Sequence, residues 1–492
     1  MNARLDSLTG LKQGVAKPSY DRNRPSGIVH LGTGAFHKAH QAVYTDDALQ
    51  ASGGDWMITG VSLRSPGVAD TLNPQQGFYT LLTRGAEGTS ARIVGSVGKV
   101  LVAPRERAAV LAALTNPHTR IVSLTITEKG YGLDAGSGGL DRNHPAIAAD
   151  LADPASTQSA VGLIVAALQQ RRNLGHAPFT VLCCDNLPSN GKVLRRLTLE
   201  FAAARNGNII HHLESEVSFP STMVDRITPA SADRTFADAL RLTGREDRAA
   251  VETEPFTQWI VEDDFVAGRP DWEAGGALFV TDVAPYEKMK LRMLNGTHSM
   301  LAYSGFLAGH KYVRDVMADS DLALLVARHM GEAARTLEPV PGVDLDAYAA
   351  ELRGRFGNPE MAHETWQIAM DGTQKLPQRL IEPAAIALRR GLPLDAYAFA
   401  VAAWMRYALG MTDMGEIYTL RDPREAEIAA ALAGARRDAS VVVDHLLALP
   451  GLFPEELRGS PAWRAVLQEK LQPMLGQGMR RAIAREVETC RA

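Results

Sequence analysis

Gly27-Ile28-Val29-His30-Leu31-Gly32-Thr33-Gly34-Ala35-Phe36-His37 is the stretch that decides the fold of this chain. Its first five residues predict a short buried strand, which a glycine-rich turn and a helical run to about Leu49 follow. A second strand is predicted over 56–63, so the region has the strand–helix–strand order in which dinucleotide-binding turns occur. Gly32 permits a tight turn and Gly34 permits the approach of a pyrophosphate, whose charge a helix N-terminus favours. His37 stands where a third glycine is usual, and so short a pattern also occurs in ordinary strand-to-helix turns.

The end of the second strand bears on the choice of cofactor. It reads Leu63-Arg64-Ser65-Pro66-Gly67, with no acidic residue before Asp70. An acidic residue there usually binds the ribose of NAD, so this end neither requires NAD nor excludes NADP. His30, His37 and His40 lie near the turn, but no carboxylate accompanies them at a familiar ligand spacing, and we predict no metal site.

Further strands are predicted over 91–97, 120–126 and 179–184, and helical runs around 105–115, 157–172 and 191–205 separate the later ones. This alternation indicates an α/β fold with a mostly parallel sheet covered on both faces, that is, a Rossmann-like domain. Ligands of such sheets bind beyond the carboxyl ends of the strands, where the polar clusters 127–131 and 185–191 follow two of them. Helix capping and turn formation are the alternative explanation for both clusters.

A second informative stretch is 286–300, which places polar residues among apolar ones at helical spacing. If it is an α-helix, Lys290, Asn295, His298 and Glu287 lie at about 0°, 140°, 80° and 60° around its axis. Any amphipathic helix has such a polar face, so a solvated surface is the alternative. A buried lysine, however, can serve as a general base near neutral pH, and Asn and His can donate hydrogen bonds to a developing alkoxide. The set suits proton removal from an alcohol.

From about Ala284 onward the sequence changes to alanine- and leucine-rich helical periodicity. Helices are predicted over 320–336, 345–354, 382–390, 395–409, 424–434 and 461–488. We therefore divide the chain into a Rossmann-type cofactor-binding domain, residues 1–283, and a mainly α-helical substrate-binding and catalytic domain, residues 284–492. The cleft between two such domains is the expected substrate site.

Composition narrows the class of partner. The chain has 492 residues, 46% of them hydrophobic, and a net charge of −4, so no basic field indicates nucleic acid or an acidic membrane surface. Three cysteines without a C-x-x-C pair indicate neither a disulfide framework nor structural zinc, and they fit a reducing cytoplasm. We expect a cytoplasmic monomer or small homo-oligomer that acts on a small molecule, with no signal peptide and no membrane span.

Several motifs in order resemble one family. They are Gly32-x-Gly34-Ala35-Phe36-His37 with His40, Cys184-Asp185-Asn186, the segment 217–229 with Val224-Asp225-Arg226-Ile227-x-Pro229, and Lys290 followed by Asn295 and His298. The chain thus resembles the long-chain polyol-specific dehydrogenases, also called the mannitol dehydrogenase family, over nearly its whole length. The resemblance implies a metal-independent oxidoreductase that moves hydride between NAD and a secondary alcohol of an open-chain sugar derivative.

The resemblance also implies roles for single residues. Lys290 is the expected general acid and base, Asn186 and Asn295 the expected oxyanion hole, His298 the residue that orients the substrate, and Glu287 the link between the lysine and solvent. Asp225 is a supporting polar residue near the substrate; from the residues alone, Asp225 beside Arg226 also fits an ion pair that holds a loop. The expected cofactor-binding residues are Gly32, Gly34, Ala35, Phe36, Arg64 and Glu128.

Two departures from the mannitol enzymes bear on the substrate. Those enzymes tend to carry acidic residues where Pro66 and Gly67 stand, and arginine where Gln367 stands. The segment 365–379, with Thr127-Glu128-Lys129-Gly130-Tyr131 and 290–296, is closer to the fructuronate reductase branch, which implies interconversion of D-fructuronate and D-mannonate, with mannitol 2-dehydrogenase as the alternative. Lys129, Lys375 and Arg379 can supply the cation that a uronate carboxylate requires, although each can equally be a solvated surface charge.

Overall fold

A computed structural model describes residues 3–134, 136–205, 207–435 and 438–491. The chain divides into two units, Met1–Ala284 and Pro285–Ala492. The strands of the first unit are β1 Ile28–Leu31, β2 Ile58–Ser62, β3 Tyr79–Gly85, β4 Gly88–Val94, β5 Val97–Val102, β6 Ile121–Leu124, β7 Thr180–Cys183, β8 Thr222–Asp225, β9 Val251–Thr253, β10 Gln258–Glu262 and β11 Leu278–Val280.

Five of these strands form one sheet in the order β5-β2-β1-β6-β7, and every neighbouring pair is parallel. This is the order of a dinucleotide-binding sheet, with its switch point between β1 and β6. Alternate residues of the central strands enter two different apolar clusters: Val29 and Leu31 pack in one, Ile28 in the other. Both faces of the central strands are buried, as expected for a parallel sheet covered on both sides. The predicted Rossmann-type fold is confirmed.

The predicted strand over 91–97 is wrong, because two strands of different sheets meet there. β4 pairs antiparallel with β3 in a separate three-stranded sheet, whereas β5 is the edge of the parallel sheet. Between them the Gly95 N–H donates to Asp46 Oδ1 at 2.8 Å, and the Ser96 hydroxyl donates to the Ala42 carbonyl at 2.6 Å. These tertiary contacts change the course of the chain, and apolar patterning does not reveal them.

Helices cover both faces of the parallel sheet. Those of the first unit are α1 Ala35–Ala39, α2 Gln41–Ser52, α3 Gly67–Leu72, α4 Ala103–Thr115, α5 Pro145–Ala152, α6 Ala160–Leu174, α7 Asn190–Arg205, α8 Ile210–Ser215 and α9 Asp233–Thr243. The runs expected around 105–115, 157–172 and 191–205 correspond to α4, α6 and α7.

The described residues of the second unit form helices and no strand. The helices are α10 Ala284–Met289, which begins at the unit boundary, α11 Thr297–Leu307, α12 Val313–Ala318, α13 Ser320–Arg335, α14 Leu345–Phe356, α15 Thr365–Ala369, α16 Gly372–Leu376, α17 Glu382–Arg390, α18 Asp395–Tyr407, α19 Glu425–Ala431, α20 Ala439–Leu447, α21 Glu455–Arg458, α22 Pro461–Gly476 and α23 Met479–Arg491. The single helix predicted over 461–488 is wrong: it is α22 and α23, separated at Gly478, whose φ of +86° ends a helix.

Two π-helical segments interrupt the helices of this unit. Lys290–Gly296 joins α10 to α11, and Pro377–Ile381 joins α16 to α17. α18 is buried along its whole length except at its first residue. Within the described ranges, no helix combines the length and the apolar character that crossing a membrane requires.

Candidate active site

The turn after β1 has the geometry that its two glycines predict. Gly32 has a φ of +94°, and a Cβ added to it would lie 2.2 Å from the Thr125 carbonyl oxygen. At Gly34 the nearest atom to an added Cβ is the Gly32 oxygen, 3.7 Å away. Gly32 is therefore required by the protein itself, whereas Gly34 leaves open space of the kind that a pyrophosphate needs.

The other expected cofactor residues lie around the same edge of the sheet. Ala35 and Phe36 open α1, where the Phe36 ring stacks on His40 at 4.9 Å, and Arg64 is exposed in the turn after β2. Beyond the ends of β2 and β5 is a cavity of about 220 Å³. Its apolar lining residues are Leu63, Ala103, Pro104, Val110 and Leu163, and its polar ones are Arg107, Ser156, Thr157 and Gln158.

The loops after β6 and β7 carry the two polar clusters. Glu128 and Lys129 lie in the 3₁₀ turn Glu128–Gly130 and are exposed, as is Asn186 after β7. Between them, Asp185 accepts hydrogen bonds from the backbone N–H groups of Ile126 and Thr127, at 2.7 and 3.2 Å. The structure thus joins the two clusters, which lie far apart in the sequence, at one edge of the sheet.

Asp225 is the last residue of β8 and is buried, opposite Gln258 of β10 in the antiparallel register. The guanidinium of Arg226 donates to the Ala39 carbonyl at 2.5 Å and to the Glu254 carbonyl at 3.4 Å. Arg226 thereby ties the segment after β8 to α1.

In the second unit, Lys290 begins the π-helical segment and Asn295 lies near its end. Each side chain is buried, with 8% and 7% of its surface exposed, and His298 in α11 is 7% exposed. The angular positions predicted with an α-helical step are therefore wrong after Lys290, because a π-helix closes i→i+5 hydrogen bonds and is wider. Single π turns inside α-helices occur frequently at functional sites. Glu287, half-buried in α10, precedes the segment.

Two polar atoms of this region lack partners. Asn295 Nδ2 and His298 Nε2 are buried, and neither has a hydrogen-bond partner within the described part of the chain. An unsatisfied buried polar group costs about 1–3 kcal/mol, so these two atoms are candidates for hydrogen bonds to a bound molecule.

The surroundings of His298 are aromatic and cationic. Its ring stacks on Phe356 at 4.4 Å and meets the edge of His363 at 5.5 Å. Burial, and then His363, Arg379, Arg355 and Lys290, hold the pKa of His298 well below its usual value. The ring is therefore neutral near pH 7, and it lies in a positive field.

Arg379, one of the expected substrate cations, contacts the π-helical segment that carries Lys290 and Asn295. It belongs to the second π-helical segment and donates to the Asn295 carbonyl and the Ser299 hydroxyl, both at 3.4 Å. The two segments pack tightly, since a Cβ added to Gly296 would lie 2.7 Å from the Arg379 carbonyl oxygen.

Lys375 has a different position. Its amine donates to the carbonyls of Met370 and Ile368, at 2.6 and 3.3 Å, and lies 3.9 Å from Asp371. Lys375 also lowers the pKa of His363, after the larger effect of burial. Lys375 therefore lies near His363, and its amine bonds to backbone carbonyls of its own segment.

The match to known families covers both units. The model of the mannitol dehydrogenase Rossmann domain matches residues 26–274, and that of the mannitol dehydrogenase C-terminal domain matches residues 282–475. The chain belongs to the mannitol dehydrogenase family. The resemblance predicted from its motifs is confirmed, and the chain is an oxidoreductase of this family.

Three proteins similar to this chain are two oxidoreductases of Escherichia coli and one mannitol dehydrogenase of solved structure. D-mannonate oxidoreductase of Escherichia coli K12 is 44% identical over 96% of this chain and 98% of its own length. The uncharacterized oxidoreductase YeiQ of the same strain is also 44% identical, over 95% of this chain and 96% of its own length. The solved structure of Pseudomonas fluorescens mannitol 2-dehydrogenase, a ternary complex with NAD and D-mannitol, has a TM-score of 0.86 and 37% identity, and the match covers 99% of this chain and 100% of that one.

The motifs of this mannitol dehydrogenase family member did not reveal three neighbours of His298. Arg355, Phe356 and His363 lie some sixty residues further along the chain, in and after α14, and no short motif links them to Lys290. The fold alone brings them to His298. Among the described residues, no group of three histidine, cysteine, aspartate or glutamate side chains is arranged to hold a metal ion.

Buried neutral histidines predict the acid sensitivity of this family member. Burial lowers the pKa of His329, whose Nδ1 lies 2.9 Å from the Thr297 hydroxyl, to about 4. Its contribution to stability is complete above the ordinary histidine pKa of about 6.5 and is lost as the pH falls, because the unfolded chain then binds the proton more tightly. Between pH 7 and pH 5, His329 should account for a loss of about 2 kcal/mol in the free energy of unfolding.

Urea unfolding of the wild type and of His329→Gln at both pH values measures this loss. The decrease between pH 7 and pH 5 should be about 2 kcal/mol smaller in the variant, whatever its stability at pH 7. His118→Gln, at an exposed position, serves as the control and should retain the full decrease. Equal decreases in the wild type and His329→Gln would contradict the prediction.

Proposed function

We propose that this enzyme catalyses the NAD-linked interconversion of D-fructuronate and D-mannonate. The observation that carries the proposal is the positive field at His298, to which Arg355 contributes together with Arg379, whose guanidinium donates to the Asn295 carbonyl at 3.4 Å. A sugar acid has a carboxylate that such a field stabilises, whereas a neutral polyol gains nothing comparable from it. The 44% identity to a D-mannonate oxidoreductase over nearly the whole chain supports the same substrate.

NAD is the cofactor, and the turn at Gly32 and Gly34 is the part of this chain that would hold its pyrophosphate. When bound, NAD accepts the hydride from the carbinol carbon. Arg64 follows β2 where an acidic residue would select NAD by its ribose, so use of NADP remains compatible with this sequence. Ala35, Phe36 and Glu128 complete the proposed cofactor set.

In the direction of alcohol oxidation, Lys290 takes the hydroxyl proton as a general base. Asn295, whose Nδ2 has no partner among the described residues, donates a hydrogen bond to the developing alkoxide, and Asn186 is proposed for the same task. His298 is neutral and orients the substrate through its unpartnered Nε2. Glu287, half-buried three residues before Lys290, passes the proton toward solvent.

The remaining proposed residues would bind the carboxylate and the hydroxyl groups of the substrate. Arg379 is the proposed partner of the carboxylate, because it already contacts the helix that carries Asn295. Lys375 and Lys129 are weaker candidates: Lys375 is bonded to backbone carbonyls, and Lys129 is exposed in its turn. Asp225, buried at the end of β8, supports the hydroxyl contacts.

A substrate panel tests the proposal. NADH oxidation with D-fructuronate, D-tagaturonate and D-fructose should show kcat/KM for fructuronate about a hundredfold above that for fructose, the size expected when one carboxylate gains a charge-assisted hydrogen bond. Running the panel with NADPH measures the cofactor preference. A clear preference for fructose would replace the proposal by mannitol 2-dehydrogenase, and a preference for tagaturonate would change the sugar acid.

A matched pair of variants sharpens the panel. Arg379→Met should lower kcat/KM for the uronate much more than for fructose, since the bonds of Arg379 to the Asn295 segment are lost for both substrates but only the uronate also loses a charged partner. Lys288→Met is the control, because it removes an exposed cation with no proposed role and should leave the ratio between the two substrates close to that of the wild type. An unchanged ratio in Arg379→Met would remove Arg379 from carboxylate recognition.

A further inference from the structure

One carboxylate joins the loops that follow β6 and β7. Asp185 Oδ2 accepts from the Ile126 N–H at 2.7 Å and from the Tyr131 hydroxyl at 2.7 Å, and Oδ1 accepts from the Thr127 N–H at 3.2 Å. The Tyr131 hydroxyl also lies 3.0 Å from the Cys183 sulfur, and the side chain is fully buried. Tyr131 therefore fixes the far end of the first loop to the end of β7.

The backbone of Asp185 is held as firmly as its side chain. Asn190 Nδ2 donates to the Asp185 carbonyl at 3.0 Å and to the Thr222 carbonyl at 2.9 Å, and Asn190 Oδ1 accepts from the Thr222 N–H at 2.9 Å. These bonds connect the loop after β7 to the start of β8. Asn186 is the next residue in the chain, and its side chain is exposed.

The first loop stores strain that these bonds offset. Thr127 has a φ of +65° and a ψ of 158°, a conformation that L-residues with a β-branch avoid. Such residues cost about 1–3 kcal/mol and persist where the surrounding structure determines them. The N–H of Thr127 itself bonds to Asp185, so the carboxylate holds the strained residue in place.

We propose that Tyr131 and Asp185 are positioning residues of the reaction: they hold the 126–131 loop against β7 and thereby fix the direction in which Asn186 presents its amide. The inference rests on the proposed role of Asn186 in stabilising the alkoxide. Tyr131 touches neither substrate nor cofactor in this role and acts through Asp185. A donor displaced by about 1 Å can lose a hundredfold in rate, so the loss of one hydroxyl should be measurable.

Tyr131→Phe removes only that hydroxyl. We expect kcat to fall about tenfold with little change in KM for NADH, and the primary deuterium isotope effect on kcat to rise toward its limiting value as hydride transfer becomes slower. Tyr20→Phe is a matched control, because Tyr20 also donates to an aspartate, Asp46, at 2.5 Å in the same unit. It should lose stability without a change in kcat or in the isotope effect.

A double-mutant cycle with Asn186→Ala separates positioning from general damage. If Tyr131 acts through Asn186, Tyr131→Phe should lower the kcat of the wild type about tenfold but hardly lower the kcat of the Asn186→Ala enzyme. If the two residues act independently, the two losses of rate should multiply. Each variant is measured with whichever substrate the panel shows to be the best, so a different sugar leaves the test intact. Multiplying losses, or a Tyr131→Phe enzyme as fast as Tyr20→Phe, would overturn the inference; an unaffected Asn186→Ala enzyme would instead refute the proposed role of Asn186.

Discussion

Lys290→Ala should lower kcat/KM by about a thousandfold, because general-base catalysis contributes about 10²–10⁴-fold and alanine cannot take the proton. Lys290 is 8% exposed at the start of the π-helical segment that also carries Asn295, and His298 follows in α11. NADH affinity, measured by fluorescence titration, should remain within about threefold, because the glycine turn belongs to the first unit. Added methylamine should restore part of the rate, since a free amine can enter the space of the missing side chain.

Lys288→Ala, two residues before Lys290, is the matched control. Lys288 is exposed on the same helix, so Lys288→Ala removes an equal charge and an equal side chain from α10 without changing the site. It should turn over within about twofold of the wild type, in line with surface substitutions elsewhere. Near-normal turnover of Lys290→Ala at every pH would remove this residue from the base role.

Local sequence was sufficient where one short segment determines its own geometry. The run from Ile28 to Gly34 predicts a buried strand and a tight turn, and the positive φ of Gly32 is a property of the glycine itself. For Lys290, Asn295 and His298, spacing predicted one helical run, but the angular positions within it were wrong because Lys290–Gly296 is π-helical. All three side chains are buried, so they do not form a solvated helix surface, although their catalytic roles stay predictions.

What sequence did not reveal depends on contacts between distant segments. The π-helical segment at Lys290–Gly296 is accompanied by a second one, Pro377–Ile381, whose Arg379 bonds to the Asn295 carbonyl, and no pattern within either segment predicts the other. Phe356 and His363 meet His298 only through the packing of the helical unit. In the same way, Tyr131 resembled a turn residue until the fold placed its hydroxyl on Asp185.

The largest loss of stability is expected for Gly32→Ala. An added Cβ would lie 2.2 Å from the Thr125 carbonyl oxygen, 2.8 Å from its carbon and 2.9 Å from Ile126 Cγ2, and the φ of +94° strains any L-residue. Both the Thr125 backbone and the turn must move, so we expect a decrease of about 3 kcal/mol or more in the free energy of unfolding. Urea unfolding measures the decrease, and NADH titration should show that binding is lost with it.

Gly34→Ala distinguishes the two glycines: Gly32 is expected to be needed for stability, and Gly34 for binding of the cofactor. Its Cβ would have 3.7 Å to the nearest atom, so the free energy of unfolding should change by less than about 1 kcal/mol. NADH affinity should nevertheless fall, because the methyl group would occupy the space through which the pyrophosphate approaches the backbone. Gly331→Ala, in open space on the exposed side of α13, controls for the exchange of glycine for alanine and should be at least as stable as the wild type. Wild-type affinity in Gly34→Ala, with Gly32→Ala unstable, would show that the turn after β1 has a structural role and that the pyrophosphate binds elsewhere.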